Sequence, residues 1–205
     1  MNRIAKSAAA AALALAATAG IRASAAPAAP AAQPPAAADV WVGDTVHSSV
    51  GFRIKHMGTS WTHGRFNEFS LSVKSEGMGP LVSSADFVVK SGSVDTGNAK
   101  RDQHLKSPDF FNAALFPDIS FKSAGAKAVD EGCAELTGDL TLHGVTRSLV
   151  ARVMKVGSGK GMKGEELLGL ECTFTIKRSE YGMDKYADAV GDEVRITVAA
   201  EVAKQ

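Results

Sequence analysis

From Val46 onward, apolar and polar residues alternate with a period of two. Val46, Ser48, Val50, Phe52 and Ile54 share one face of a strand, and His47, Ser49, Gly51, Arg53 and Lys55 share the other. Phe69, Leu71 and Val73 repeat the alternation, as do Ala85, Phe87 and Val89. Ile119 and Phe121 follow Pro117, and Leu136, Leu140 and Leu142 alternate with Glu135, Thr137, Asp139 and Thr141. Further strands are predicted over Leu149 to Val156, Leu167 to Lys177 and Glu193 to Val202. Turn residues separate them: His143-Gly144-Val145-Thr146 reads as a hairpin, and Gly157 to Gly164 as a looser glycine-rich connection.

About eight half-buried strands with short links predict an all-β antiparallel sandwich or barrel. In a sandwich the apolar faces pack on each other, whereas in an eight-stranded barrel they line an interior that holds a small apolar ligand. Alternation alone leaves the two level. The long break from Ser91 to Pro117 supplies the helical material. Asn98 caps a helix over Ala99 to Lys106, and Ser107-Pro108 starts a second short turn, giving a helical insertion near residues 98–112.

The first forty residues do not share this pattern. Arg3 and Lys6 precede an Ala/Leu run from Ala8 to about Ile21, and Ala23-Ser24-Ala25 offers a small-x-small cleavage site. Residues 1–25 therefore read as a secretory signal peptide. Residues 26–39, with four of the seven prolines, cannot bury a core and read as an extended tether. The folded domain is expected over 40–205, in an exported, periplasmic protein. Removing Arg3, Lys6 and Arg22 with the leader takes the formal charge from +1 to −2. That balance, without a basic stripe, argues against nucleic acid as a partner.

Candidate chemistry gathers in KRDQHLKSPDFFNAALFPDISF, residues 100–121. Arg101 and His104, three apart on a helix, are neighbours on its surface, while Asp102 points elsewhere. Either the charged turn pins the helix to the rim, or Arg101, Asp102 and His104 meet a polar headgroup. His56 ends a strand on its apolar face, where it either caps a polar patch inside a barrel or snorkels at the rim. The five histidines show no metal-ligand spacing, so no metal site is expected. Nucleophile elbows and phosphate-loop or dinucleotide fingerprints are absent from the sequence. His143, at a turn, reads as a structural donor to a carbonyl. Cys133 and Cys172 fall on opposite faces by parity, which argues against a bridge.

Taken in order, four segments resemble one family. Asp44-Thr45-Val46-His47-Ser48, with Gly51-Phe52-Arg53-Ile54-Lys55-His56-Met57-Gly58 and Gly64-Arg65-Phe66, looks like the opening of the YceI-like family. Lys100-Arg101-Asp102-Gln103-His104-Leu105 with Phe110-Phe111 and Phe116-Pro117 resembles its middle. Gly138-Asp139-Leu140-Thr141-Leu142-His143-Gly144-Val145-Thr146 resembles its hairpin, and Arg178-Ser179-Glu180-Tyr181-Gly182-Met183 the motif before its last strand. Tyr181 stands where the family usually has Phe, and brings a hydroxyl toward one end of the fold.

The resemblance implies an extended, lipocalin-like eight-stranded antiparallel barrel, usually periplasmic and often a homodimer. It binds a long polyisoprenoid or other amphiphilic lipid, such as an isoprenoid quinone or prenyl phosphate, needs no cofactor beyond that ligand, and has no established enzymatic activity. The expected tunnel wall comprises Phe52, Ile54, Phe87, Val89, Leu140, Leu142, Phe174 and Ile176, with Leu105, Phe110 and Phe111 as a flap. Arg101, Asp102, His104 and His56 are the headgroup and rim candidates, and transient contact with a membrane or a quinone-using protein is expected. Two other functions compete with the carrier. One is an enzyme acting on such a lipid, with His104 as base and Arg101 as anchor; the other is a stress-induced lipid scavenger.

Overall fold

Strands rich in Val, Ile, Phe and Thr, with one polar face for water, close on themselves here rather than stacking as two sheets. The computed structural model describes residues 38–75 and 82–205; the leader and most of the tether lie outside the described residues. Among the described residues, ten strands form one antiparallel sheet: β1 (Asp39–His56), β2 (Ser60–Phe66), β3 (Phe69–Ser75), β4 (Val82–Lys90), β5 (Val94–Asp95), β6 (Asp118–Asp130), β7 (Cys133–Leu142), β8 (Val145–Lys160), β9 (Glu166–Lys177) and β10 (Val190–Lys204). The order β10-β9-β8-β7-β6-β4-β3-β1 returns to its start because β1 also pairs with β10. Closure pairs each of those eight strands with two neighbours, although β6 beyond Lys122 and β8 before Arg152 pair with β7 alone. The remaining two, β2 and β5, continue the wall beside the distal half of β1.

Parity carries the core. Val50, Phe52 and Ile54 on β1 face Val198, Ile196 and Val194 on β10, and these meet Cys172, Phe174 and Ile176 on β9. Val202, with no exposed surface, stabilises the barrel on the order of 1.5–3 kcal/mol relative to solvent exposure. The largest register jump lies between β1 and β10. Between Asp44 and Ser49 on β1, β10 advances only from Glu201 to Ala199, so β1 carries a wide bulge. The bulge turns Val46, expected inward with Val50, out to 82 % exposure. Ser48 fixes it, donating its hydroxyl to the Glu201 carbonyl and accepting from the Glu201 amide.

Two further expectations change. The glycine-rich run after Val156 is strand as far as Lys160, paired with β9, and the turn itself begins at Gly161. Strand β2 escaped the sequence pattern because it presents Thr62 and Gly64 inward and Trp61, His63 and Arg65 outward, which reverses the usual polarity. Gly64 has a steric reason: a Cβ there would lie 2.3 Å from Cζ of Phe52, whose ring occupies the space. The single α-helix among the described residues, α1 (Ala99–Lys106), starts as expected, with the Asn98 side chain accepting the Arg101 amide. At the His143-Gly144 turn both residues have positive φ, 52° and 76°, as a two-residue hairpin with matched twist requires.

Candidate functional site: a long apolar cavity under a latched flap

The inward faces enclose a cavity of about 200 Å³. Val190 and Ala200 of β10 both line it, so its wall runs along about 33 Å of strand at ~3.3 Å per residue. A small volume over that length describes a narrow channel. All eleven residues expected on the tunnel wall lie on it: Phe52, Ile54, Phe87, Val89, Leu140, Leu142, Phe174 and Ile176, with Leu105, Phe110 and Phe111 from the flap. Phe66, which adjoins Phe52 and meets Phe111 edge-on at 5.5 Å, ties the flap to the wall. Phe116 is the exception in the aromatic run, since it packs outside against His143 and Gly144.

The groups chosen for a headgroup are placed differently. Arg101 donates from Nε to the Thr96 hydroxyl and from a terminal nitrogen to the Thr96 carbonyl. Asp102 accepts from the amide and the hydroxyl of the same threonine. Their side chains anchor α1 to the loop before it, and neither lines the cavity. His56 is exposed at the end of β1. His104 bonds Asp109 at 3.1 Å, so Arg101 and His104, though helical neighbours, are committed to different partners. Tyr181 is only 2 % exposed and sits in the packed core, not on the cavity wall.

Asp109 is the centre of a latch. It also accepts the Tyr186 hydroxyl at 3.1 Å, while the Tyr186 ring stacks on Phe110 at 5.7 Å and 12°. The His104 ring meets both aromatic rings edge-on. These two bonds hold the Asp109 carboxyl below the ordinary carboxylate range, His104 contributing most. The flap is thereby fastened to the loop that precedes β10.

The wall is hydrocarbon, aromatic or thioether except at Ser120, Cys172 and Arg178. Burial pushes the Cys172 thiol up to about 12, so it is a neutral apolar group at physiological pH. Both cysteines are free. Arg178, 4 % exposed, was missed as a wall residue, although its parity with Phe174 and Ile176 points it inward. Its guanidinium donates to the carbonyls of Gly191, Met183, Lys185 and Val190. Four carbonyls satisfy a buried cation that has no ion-paired carboxylate among the described residues, and they fix the loop from Met183 to Gly191 at the channel end. Burial lowers its pKa from the ordinary guanidinium value.

Two histidines outside the channel are accounted for. His143 bonds the Tyr181 carbonyl through Nδ1 at 3.0 Å, which places the proton on that nitrogen because a carbonyl only accepts. At the bulge, His47 Nδ1 lies 2.7 Å from Asp44 and 3.8 Å from Glu201. Folding thus gathers Asp44, His47 and Glu201 so that their ligand atoms lie within 4.8 Å of one another, a cluster that sequence spacing hid. The hydrogen bond and charge of Asp44 raise the His47 pKa, and the same bond lowers that of Asp44.

The comparisons with known proteins agree with this architecture. The model of the YceI-like domain matches residues 41–202. A UPF0312 protein of Ectopseudomonas mendocina is 34 % identical over 159 residues, covering 78 % of this chain and 83 % of that protein. Among solved structures, Burkholderia cenocepacia BcnA superposes with a TM-score of 0.70 at 24 % identity, over 78 % of this chain and 98 % of the other. A polyisoprenoid binding domain from Saccharophagus degradans, implicated in plant cell wall breakdown, superposes with a TM-score of 0.61 at 16 % identity, over 81 % and 98 % of the two chains.

Proposed function

This chain belongs to the YceI-like family, and from that premise we propose that it is a periplasmic carrier that holds a long-chain amphiphilic lipid of the polyisoprenoid class in its channel. The observation that carries this reading is the shape and chemistry of the cavity. It is long, narrow and bounded almost wholly by hydrocarbon and aromatic side chains. A flexible chain of single-file cross-section fits such a space, and a compact polar metabolite does not. Burial of each CH₂ is favourable by ~0.8 kcal/mol, so even partial filling gives useful affinity without polar contacts. The polyisoprenoid class is suggested by the Saccharophagus degradans domain, whose fold this chain shares. Export follows from the leader read in the sequence.

Binding is favoured over catalysis by the fate of the acid–base candidates. His104 and Asp109 are spent on the latch, and Arg101 on Thr96. The reading is tested by native mass spectrometry of the protein purified from its own host, with extraction and identification of any bound species. A single class of long-chain lipid, displaced when Leu140→Trp fills the channel, is the expected result. Protein that is always empty, and that takes up neither an isoprenoid quinone nor a prenyl phosphate, overturns it.

A further inference from the structure

A carrier must meet the membrane that supplies its lipid, and one face of the barrel has the chemistry to do so. Arg53 of β1 stands directly across from Arg195 of β10, and Lys55 lies two residues farther along the same outer face. Like charges directly opposite on neighbouring strands are destabilising unless something neutralises them. Among the described residues, none of the three forms an ion pair with a carboxylate of this chain. Instead all three crowd one indole: Arg53, Arg195 and Lys55 lie 4.8, 5.4 and 5.6 Å from the ring centroid of Trp61. A ring face offsets part of that repulsion but carries no net charge. Glu193, two residues from Arg195, stands opposite Lys177. The cluster therefore keeps an excess of positive charge.

Its position matters as much as its charge. The turn joining β1 to β2 presents Met57, 59 % exposed and held with a positive φ of 53°. The Met57 amide donates to the Ala189 carbonyl, which seats this turn beside the latch loop. Ile54, Val190 and Phe110, which line the channel, mark the same end of the barrel. An exposed methionine at the tip, an indole behind it and three cations around that indole reproduce the layering of a membrane interface. There the apolar tip enters the acyl boundary, the indole sits among headgroups, and cations meet phosphates.

We propose that the Met57 turn with Trp61, Arg53, Lys55 and Arg195 docks the protein on an anionic lipid bilayer, setting the channel end against the membrane. The proposal rests on the lipid-carrier reading above and adds the surface by which lipid is exchanged. Docking is peripheral and electrostatic, so it weakens as salt rises.

The test is flotation of the purified chain with vesicles of phosphatidylcholine alone and of phosphatidylcholine with phosphatidylglycerol. Binding is expected only to the second and to fall with added salt. Each cation contributes about fivefold to affinity, so combining Arg53→Gln, Lys55→Gln and Arg195→Gln lowers it on the order of 100-fold. The triple variant relieves like-charge repulsion, so its melting temperature should stay equal or rise, which separates lost docking from lost folding. Met57→Asp should weaken binding with the cations intact. Equal binding to both vesicle types, indifference to the triple substitution, or stronger retention by a DNA duplex or an acidic protein overturns the proposal. Native mass spectrometry of the same variants separates the two ideas: a triple variant that carries lipid but does not float confirms docking as a separate step. Wild-type protein that carries lipid yet never floats overturns docking and leaves the carrier standing.

Discussion

Tyr186 donates its hydroxyl proton to Asp109 across 77 residues of chain, and this bond helps fasten the flap to the loop before the last strand. The stacked Phe110 and Tyr186 rings lie directly on it. Phe110 lines the channel and Tyr186 stacks on its outer side, so a ligand that enters at this end is expected to open that contact.

Tyr186→Phe should therefore keep the stack and lose the bond. Loss of that bond from the closed flap predicts faster release of a fluorescent prenyl analogue, by a few-fold. Barrel stability should barely move, since Tyr186 is half exposed. The Asp109 carboxyl is held below its ordinary value. A group with a depressed folded-state pKa gives stability that is present above its unfolded value and lost as pH falls through the folded one. Release rates of the wild type should thus rise in acid, and those of Asp109→Asn should be high and flat with pH.

Gly64 leaves room for the ring of Phe52, which lines the channel. Gly64→Ala places a methyl group on the Phe52 ring, which must swing toward the lumen. A cost of about 1–3 kcal/mol in stability is expected from overpacking, with a shift of the bound population toward thinner or shorter chains. Denaturant unfolding and the mass of the bound species check the two effects separately.

Gly144 closes the β7–β8 hairpin with a φ of 76°, and a Cβ there would lie 2.5 Å from the Phe116 ring. Gly144→Ala should destabilise the barrel by about 1–3 kcal/mol from backbone strain alone, and more from the clash. Gly157→Ala, on β8 with nothing within 4 Å of the added methyl, is the matched control and should be close to neutral. Thermal melts of the pair measure the difference.

Cys172 should report occupancy of the channel it lines. With its thiol pushed up to about 12, it should react with alkylating reagents far more slowly than a free cysteine at pH 8, and an apolar reagent should outpace a charged one. Loading with lipid should slow it further, because Cys172 lines the channel. Rapid labelling by a charged reagent, unchanged by lipid, contradicts this placement.

His47 titrates above an ordinary histidine because Asp44 holds its proton. Its raised folded-state pKa contributes stability that is complete below the unfolded value and lost as pH rises through the folded one. Asp44, depressed, contributes above its own unfolded value and loses it as pH falls through the folded one. The bulge should therefore be firmest between those limits. Proton NMR titration should return His47 to the ordinary range in Asp44→Asn.

The sequence by itself determined which side chains face inward. Period-two parity is local, since each residue on a strand points opposite to its neighbour, and it placed Phe52, Ile54, Phe174 and Ile176 on the wall before any strand was paired. Asn98 as a helix cap and His143-Gly144 as a turn were legible for the same reason, as each depends on a few adjacent residues. Strand β2 was not, because its apolar tryptophan faces out and its inward positions are small. Only the tertiary structure decided the rest. Pairing β1 with β10 closed the ring, and a register jump in that same pair turned Val46 to solvent and gathered Asp44, His47 and Glu201. Long-range register also set Arg53 against Arg195 over Trp61, and Asp109 against Tyr186. Such meetings join residues far apart in the chain, and alternation fixes the face of a strand without fixing which strand lies beside it or at what offset.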